Sequence, residues 1–206
     1  MRKYLILLLH LLPFAAYASG DMIVYPHGVG SHGVYVPGFR TYSTNWYSTS
    51  SQNVVLLKEL KQSIPQIRIA GFGAASPGKT TLFCRLSFPV YLPDKMAHEI
   101  FLAEAMRAEL LEAGLYSEDA TVSVTGHLVS MDFNSFGTGK WIIEAKFEVE
   151  GKEPVTIKYE YTYPISMTAV NACGDVSRAL VPALQGFLFT VYSDAGFKAL
   201  LQPTAR

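Results

Sequence analysis

Two stretches in the second half of the chain alternate almost without a break. KWIIEAKFEVEG, starting at Lys140, puts Trp141, Ile143, Ala145, Phe147 and Val149 on one face and Lys140, Glu144, Lys146 and Glu148 on the other. VTIKYEYTYPI does the same, with Val155, Ile157, Tyr159, Tyr161, Tyr163 and Ile165 opposite Lys158 and Glu160. A period of two, apolar on one side and charged on the other, predicts antiparallel strands of a sheet with one dry face and one wet face. Gly151-Lys152-Glu153-Pro154 supplies the turn between them. ATVSVTGHLVSMDF precedes this pair and is joined to it by NSFGTG; its alternation shifts near Gly126, which predicts a bulge or an edge.

Upstream, IRIAGFG from Ile67 reads as a short strand, followed by turn chemistry at Ser76-Pro77-Gly78-Lys79. TLFCRLSFPVYLP then keeps Leu82, Cys84, Leu86, Phe88 and Val90 on one parity and reads as one strand, with Pro89 on the other side. Asp94 is placed to cap a helix from Lys95 to Ala113 that stops at Gly114. Its apolar stripe is Ala97, Ile100, Phe101, Ala108, Leu111 and Leu115, broadened by Leu102, Met106 and Leu110, and wide enough to lie on a sheet. Glu104 inside that stripe reads as a side chain reaching past the rim of the contact. A second helix runs from Asp175 to Tyr192 with Pro182 kinking or dividing it, and AGFKALL adds a last short turn of helix.

The order β-β-α-β-β-β-α predicts an α+β domain over residues 63–206, with an antiparallel sheet of about five strands and two main helices on one face. Residues 19–62 lack periodicity. Their Gly, Ser and Tyr content reads as a loosely attached extension, whose aromatics Tyr35, Phe39, Tyr42, Trp46 and Tyr47 suggest packing on the domain or on a partner.

The first residues change the compartment. Arg2 and Lys3, an apolar run from Leu5 to Leu12, Pro13 and then Ala16-Tyr17-Ala18 have the layout of a secretory signal peptide cut after Ala18. The expected product is periplasmic or secreted, without a transmembrane segment. The chain carries 17 basic and 17 acidic residues, and loss of Arg2 and Lys3 leaves 15 against 17. That balance gives no electrostatic reason to expect nucleic acid or an anionic membrane as partner.

Export gives Cys84 and Cys173, the only two cysteines, a first reading as one disulfide. Free thiols or a metal pair are the competing readings, and the absence of a C-x-x-C spacing makes the pair a poor zinc site. No metal or cofactor is expected.

GAASPGKT, Gly73 to Thr80, fits G-x-x-x-x-G-K-[ST] at each fixed position, with Gly73, Gly78, Lys79 and Thr80 as the residues that would hold a phosphate. A phosphate loop needs a strand before it and a helix after it in a parallel sheet. Pro89 leaves little room for that helix, and an exported chain meets few nucleoside triphosphates. The expectation is a hairpin turn, with a nucleotide-binding protein as the alternative. His27 and His32, five residues apart, read as surface histidines. His98, beside Glu99, and His127 show no partner spacing that proposes a metal site or a catalytic pair.

MAHEIFLAEAMRAELLEAGLY, the V-x-V-x-G-x-L strand with MDFNS, KWIIEAKFEVEG, the Tyr-rich strand, NACGDVSRALVPALQ and AGFKALL together resemble a group of bacterial envelope proteins. These are the YajG-type lipoproteins and, more distantly, auxiliary subunits of envelope lipid transporters. The resemblance spans about two thirds of the chain, Ile67 to Leu201. It implies an α+β periplasmic domain with accessory or binding roles and no catalytic residues to carry over. Those relatives are tethered through a lipid-bearing cysteine, and no cysteine lies near Ala18 here.

The functional expectation is therefore a non-enzymatic accessory or binding protein of the envelope, with an envelope protein as partner. Contact would run through a sheet edge by strand addition, or through the aromatic hairpin at Phe133, Phe136 and Trp141. A structural component of an envelope assembly is a further alternative.

Overall fold

The computed structural model describes residues 33–36 and 39–202. The signal-peptide segment and both His27 and His32 lie outside them. The chain is α+β and largely antiparallel, but its strands are divided differently from the expected single layer. One four-stranded sheet has the order β1-β2-β5-β4, built from Gly33–Val36, Phe39–Ser43, Phe88–Tyr91 and Thr81–Cys84. The other has the order β3-β6-β7-β8, from Ile67–Ala74, Val122–Asn134, Gly139–Glu148 and Val155–Tyr163. Each contains one parallel pair, β2 with β5 and β3 with β6.

The strands β6, β7 and β8 form the expected meander. Trp141, Ile143, Ala145 and Phe147 are buried, and the Lys/Glu face stays wet, with Lys140 2.6 Å from Glu160. The bulge in β6 falls between Leu128 and Ser130, a little beyond Gly126, and β3 has its own between Ile69 and Gly71.

The segment read as one strand after the turn is a hairpin. Strand β4 pairs antiparallel with β5, Cys84 opposite Phe88 and Leu82 opposite Val90. Even residues face even residues, so the apolar alternation continues through the reversal and conceals it. The loop Ala75–Thr80 is correspondingly not a hairpin turn; it carries the chain from one sheet to the other.

Helix α1 spans Ser51–Leu60, inside the stretch read as loop. Ser50 caps it, its Oγ accepting from the Asn53 amide at 3.4 Å, and Asn53, Val54 and Leu57 are buried. Helix α2 spans His98–Ala113 and ends at Gly114 in the left-handed conformation, φ 70°, as the sequence predicts. It starts later than expected. Asp94 is no cap: it sits at φ 52° in a short 3-10 turn, Pro93–Lys95, and Ala97 precedes the helix without a side-chain bond.

The inward face of α2 is also rotated. Phe101, Leu102, Ala105, Met106, Glu109, Leu110 and Ala113 are buried, whereas Ile100 and Leu111 are exposed. Glu104 does lie at the rim, near Arg107 at 3.7 Å.

Helix α3, Ala169–Ser193, is longer than expected and runs continuously through Pro182. It packs on β7 and β8 of one sheet and on β2, β4 and β5 of the other, so both sheets share one helical core element. Helix α4, Ala195–Leu201, is capped by Asp194, whose Oδ1 accepts from the Phe197 amide at 2.8 Å. At its other end Lys152 Nζ donates to the carbonyls of Ala199 and Leu200. No helix among the described residues is long and apolar enough to cross a membrane.

Candidate functional site

Three loops meet at one end of the molecule. The first is the β4–β5 reversal, where Arg85 and Leu86 occupy the left-handed region at φ 49° and 65° and Ser87 N donates to Cys84 O at 3.2 Å. Such turns ordinarily carry Asn or Gly, because a β-carbon there costs about 1–2 kcal/mol per residue. The second is the β6–β7 loop, ordered by Asn134. Its Nδ2 donates to the carbonyls of Phe136 and Thr138, and its Oδ1 accepts from the Phe136 amide. The third leads from β8 into α3.

Arg85 joins all three. Its amide donates to Ser135 Oγ at 3.0 Å, its Nη2 donates to Ser166 O at 3.2 Å, and its guanidinium lies 4.7 Å from the centre of the Phe136 ring. Next to it, Cys84 is bonded to Cys173 in α3, with the Cα atoms 5.7 Å apart. The expected disulfide is present, although Cys173 lies inside the helix rather than before it. Tyr42 Oη adds a bond to Val170 O at 3.0 Å.

On this braced frame large apolar side chains point outward. Met167 is 93% exposed, Leu86 84%, Phe83 63% and Phe136 48%. The three residues expected to form the contact behave differently from one another. Phe136 is offered to solvent. Phe133 is partly buried, its ring 4.9 Å from that of Trp141 and edge-on to it. Trp141 is core, buried completely with its indole N–H donated to Val176 O at 3.0 Å. Trp141 presents no surface. The sequence reading does not mark Leu86 or Met167 as surface: it puts Leu86 inside one continuous strand, and only the hairpin seen in the structure turns it outward. Among the described residues the outer strands are β3 and β8 in one sheet and β1 and β4 in the other, with the Ile67 end of β3 bridged by Tyr116.

The phosphate-loop look-alike lies elsewhere. Gly78 is left-handed at φ 72°, and Lys79 N meets Ser76 O at 3.4 Å. Strand β4, not a helix, follows Thr80, and the Gly78 amide donates to Glu99 Oε1 at 2.8 Å. A carboxylate of the chain itself takes the amide that a phosphate would need. Gly73 is in strand β3, with His127 Nδ1 3.2 Å from where its β-carbon would be. Beside the loop is a shallow cleft of about 170 Å³ lined by Ser76, Lys79, His98, Ser130 and Asp132 among others. Burial, then Lys79, pushes the His98 pKa down to about 4, against the opposing pull of Glu99 and Asp132. His98 is thus neutral near pH 7. No cluster of metal-ligating side chains occurs among the described residues.

A third constellation was not legible at all. Glu109 of α2 is fully buried, and its Oε1 accepts from Tyr47 Oη at 2.5 Å, the Ser50 amide at 3.0 Å and Asn53 Nδ2 at 3.0 Å. Asn53 also bonds Gln185 O, and Gln185 Nε2 returns to Ser48 O at 2.8 Å. Burial raises the Glu109 pKa above its ordinary 4.5 despite these donors, and burial beside Glu109 raises Tyr47 and Tyr192 as well. The network clasps residues 47–53 to α2 and α3.

Neither a protein-family model nor a curated protein matches the sequence. Among solved structures, the chain is similar to protein XCC0632 from Xanthomonas campestris, of family DUF330. The TM-score is 0.50 at 10% identity, over 74% of this chain and 94% of that one. A crystal structure of an uncharacterized protein matches at TM-score 0.40 and 8% identity, over 71% and 92%. At such identity the likeness to XCC0632 is one of fold.

Proposed function

We propose that the protein is a non-enzymatic binding or accessory component of the bacterial cell envelope, acting through the loop end around Phe136. The carrying observation is the apolar end itself: large hydrophobic side chains held outward on a frame that a disulfide, Arg85 and Asn134 keep from collapsing inward. Exposed apolar surface that is braced rather than folded over the core is the mark of a contact site. The disulfide suits an extracytoplasmic protein, and the likeness in fold to XCC0632 is compatible with the resemblance drawn from the sequence.

The test is capture from envelope extracts with the mature protein and with Phe136→Asp. The wild type should retain an envelope component that the variant loses. Equal capture by both, or none by either, would remove this end from the function.

A further inference from the structure

We propose that the Leu86–Met167 end is a lipid-docking tip, which inserts its apolar side chains into the surface of a phospholipid bilayer. This rests on the reading that the loop end is the working surface, and names its partner.

Shape points the same way as composition. Leu86 and Met167 are the most exposed large apolar side chains among the described residues, and they stand on separate loops joined by Arg85, which donates to Ser166 O and lies over the Phe136 ring. Each stands almost wholly in solvent. A protein partner would need a matching hollow for each, whereas acyl chains part around convex apolar groups.

Charge narrows the choice further. Across residues 85–87, 135–138 and 164–171 there is one charged side chain, Arg85, and no carboxylate. Carboxylates at this depth would be repelled by lipid phosphates and costly to dehydrate. The nearest acids beyond the loops are Asp132, exposed on β6 with its Oδ1 accepting from the Phe133 amide at 2.8 Å, and Asp175, which accepts from the Ser166 amide at 2.7 Å and is paired with Arg178. The other residues there are mostly Ser, Thr, Gly and Asn, which suit a headgroup layer. Arg85, next to Leu86 in the chain, is the one cation there for a lipid phosphate, its guanidinium donating from Nη2 to Ser166 O and lying over Phe136. The near-neutral balance of the whole chain conceals this local arrangement.

The experiment uses the mature chain and vesicles of phosphatidylethanolamine with phosphatidylglycerol, read by flotation. Wild type should float with the vesicles, and the double variant Leu86→Asp, Met167→Asp should bind about tenfold or more weakly. Both side chains being exposed, the variant should melt with the wild type; if it does not, Met167→Ser serves in its place with a smaller loss. In a separate variant, Leu86→Trp, indole emission should shift to the blue and be quenched by brominated acyl chains. Raising salt to about 0.5 M NaCl should leave most of the binding, because insertion and not screening-sensitive attraction dominates.

Absence of flotation, equal binding by the apolar-to-acid variant, an unquenched Trp at 86, or complete loss in salt would each overturn the proposal. Should flotation fail while Phe136→Asp still loses an envelope protein, the lipid assignment falls and the proposed function stands. Should both fail, both fall.

Discussion

The clasp at Glu109 and the tip at Leu86 depart from ordinary burial in opposite directions. One hides a carboxylate in the core; the other holds aliphatic and aromatic side chains in water. The clasp is tolerable because each approach to Glu109 is occupied by a donor, from Tyr47, Ser50 and Asn53. What it achieves is attachment: residues far upstream are fixed to α2 and α3 through polar geometry that an apolar contact would not specify. The tip offers no such internal compensation. Its exposed side chains bury little of their surface, while the turn beneath them is strained at Arg85 and Leu86. A buried polar group whose partners all belong to the chain explains itself; an exposed apolar group on a strained turn directs attention to something outside it.

That contrast can be broken in graded steps. The largest effect is expected from Cys84→Ser with Cys173→Ser. The bond closes a separation of 89 residues, and loop entropy alone assigns it about 4–5 kcal/mol, to be read from urea denaturation of the two forms. Next, Glu109→Ala should cost about 3 kcal/mol by leaving Tyr47 and the Ser50 amide without an acceptor and Asn53 with only the Gln185 carbonyl, while Glu109→Gln should cost less and retain α1 by amide exchange.

The same carboxylate makes stability fall as pH rises. Its folded pKa lies above the unfolded value, so its contribution is fullest below about 4.5 and is lost as pH rises through the folded pKa. Glu109→Gln should flatten that fall. His98 acts in the other direction. Its folded pKa of about 4 is below the ordinary 6.5, so stability is intact above 6.5 and is lost as pH falls through about 4. The loss amounts to about 3 kcal/mol at most, and His98→Asn should remove it from a series of thermal melts. The smallest effect is at the tip: Leu86→Gly should leave stability unchanged or raise it by about 1 kcal/mol, by releasing a left-handed β-carbon. A clear destabilisation on removing Leu86 would mean that the tip is part of the core after all.

The legible parts of this fold were those where one physical signal dominated. Strands β7 and β8 are dry on one side and charged on the other, so their period was unambiguous; Gly114 and the Cys84–Cys173 pair were equally direct. Helix α2 defeated the periodicity because apolar residues surround it: Ile100 and Leu111 are as greasy as Leu102 and Leu110, and only contact decides which pair is buried. Glu109 was hidden by the same ambiguity, since a rotated stripe placed Glu104, not Glu109, on the inner face. Helix α1 has too few inward residues, one of them Asn53, to show a pattern. Of the site, Phe136 is legible from its place in an aromatic hairpin, whereas Leu86 reads as a core position because the alternation of Leu82, Cys84, Phe88 and Val90 passes through it.

Helix α3 has a consequence for how the molecule comes apart. Because β2, β4 and β5 lie against it on one side and β7 and β8 on another, neither sheet can peel away without wetting residues such as Leu180, Leu184, Phe187 and Leu188, all buried. The two layers should therefore behave as one cooperative foldon, with the amide protons of Val176 to Tyr192 exchanging with deuterium only when the whole chain opens.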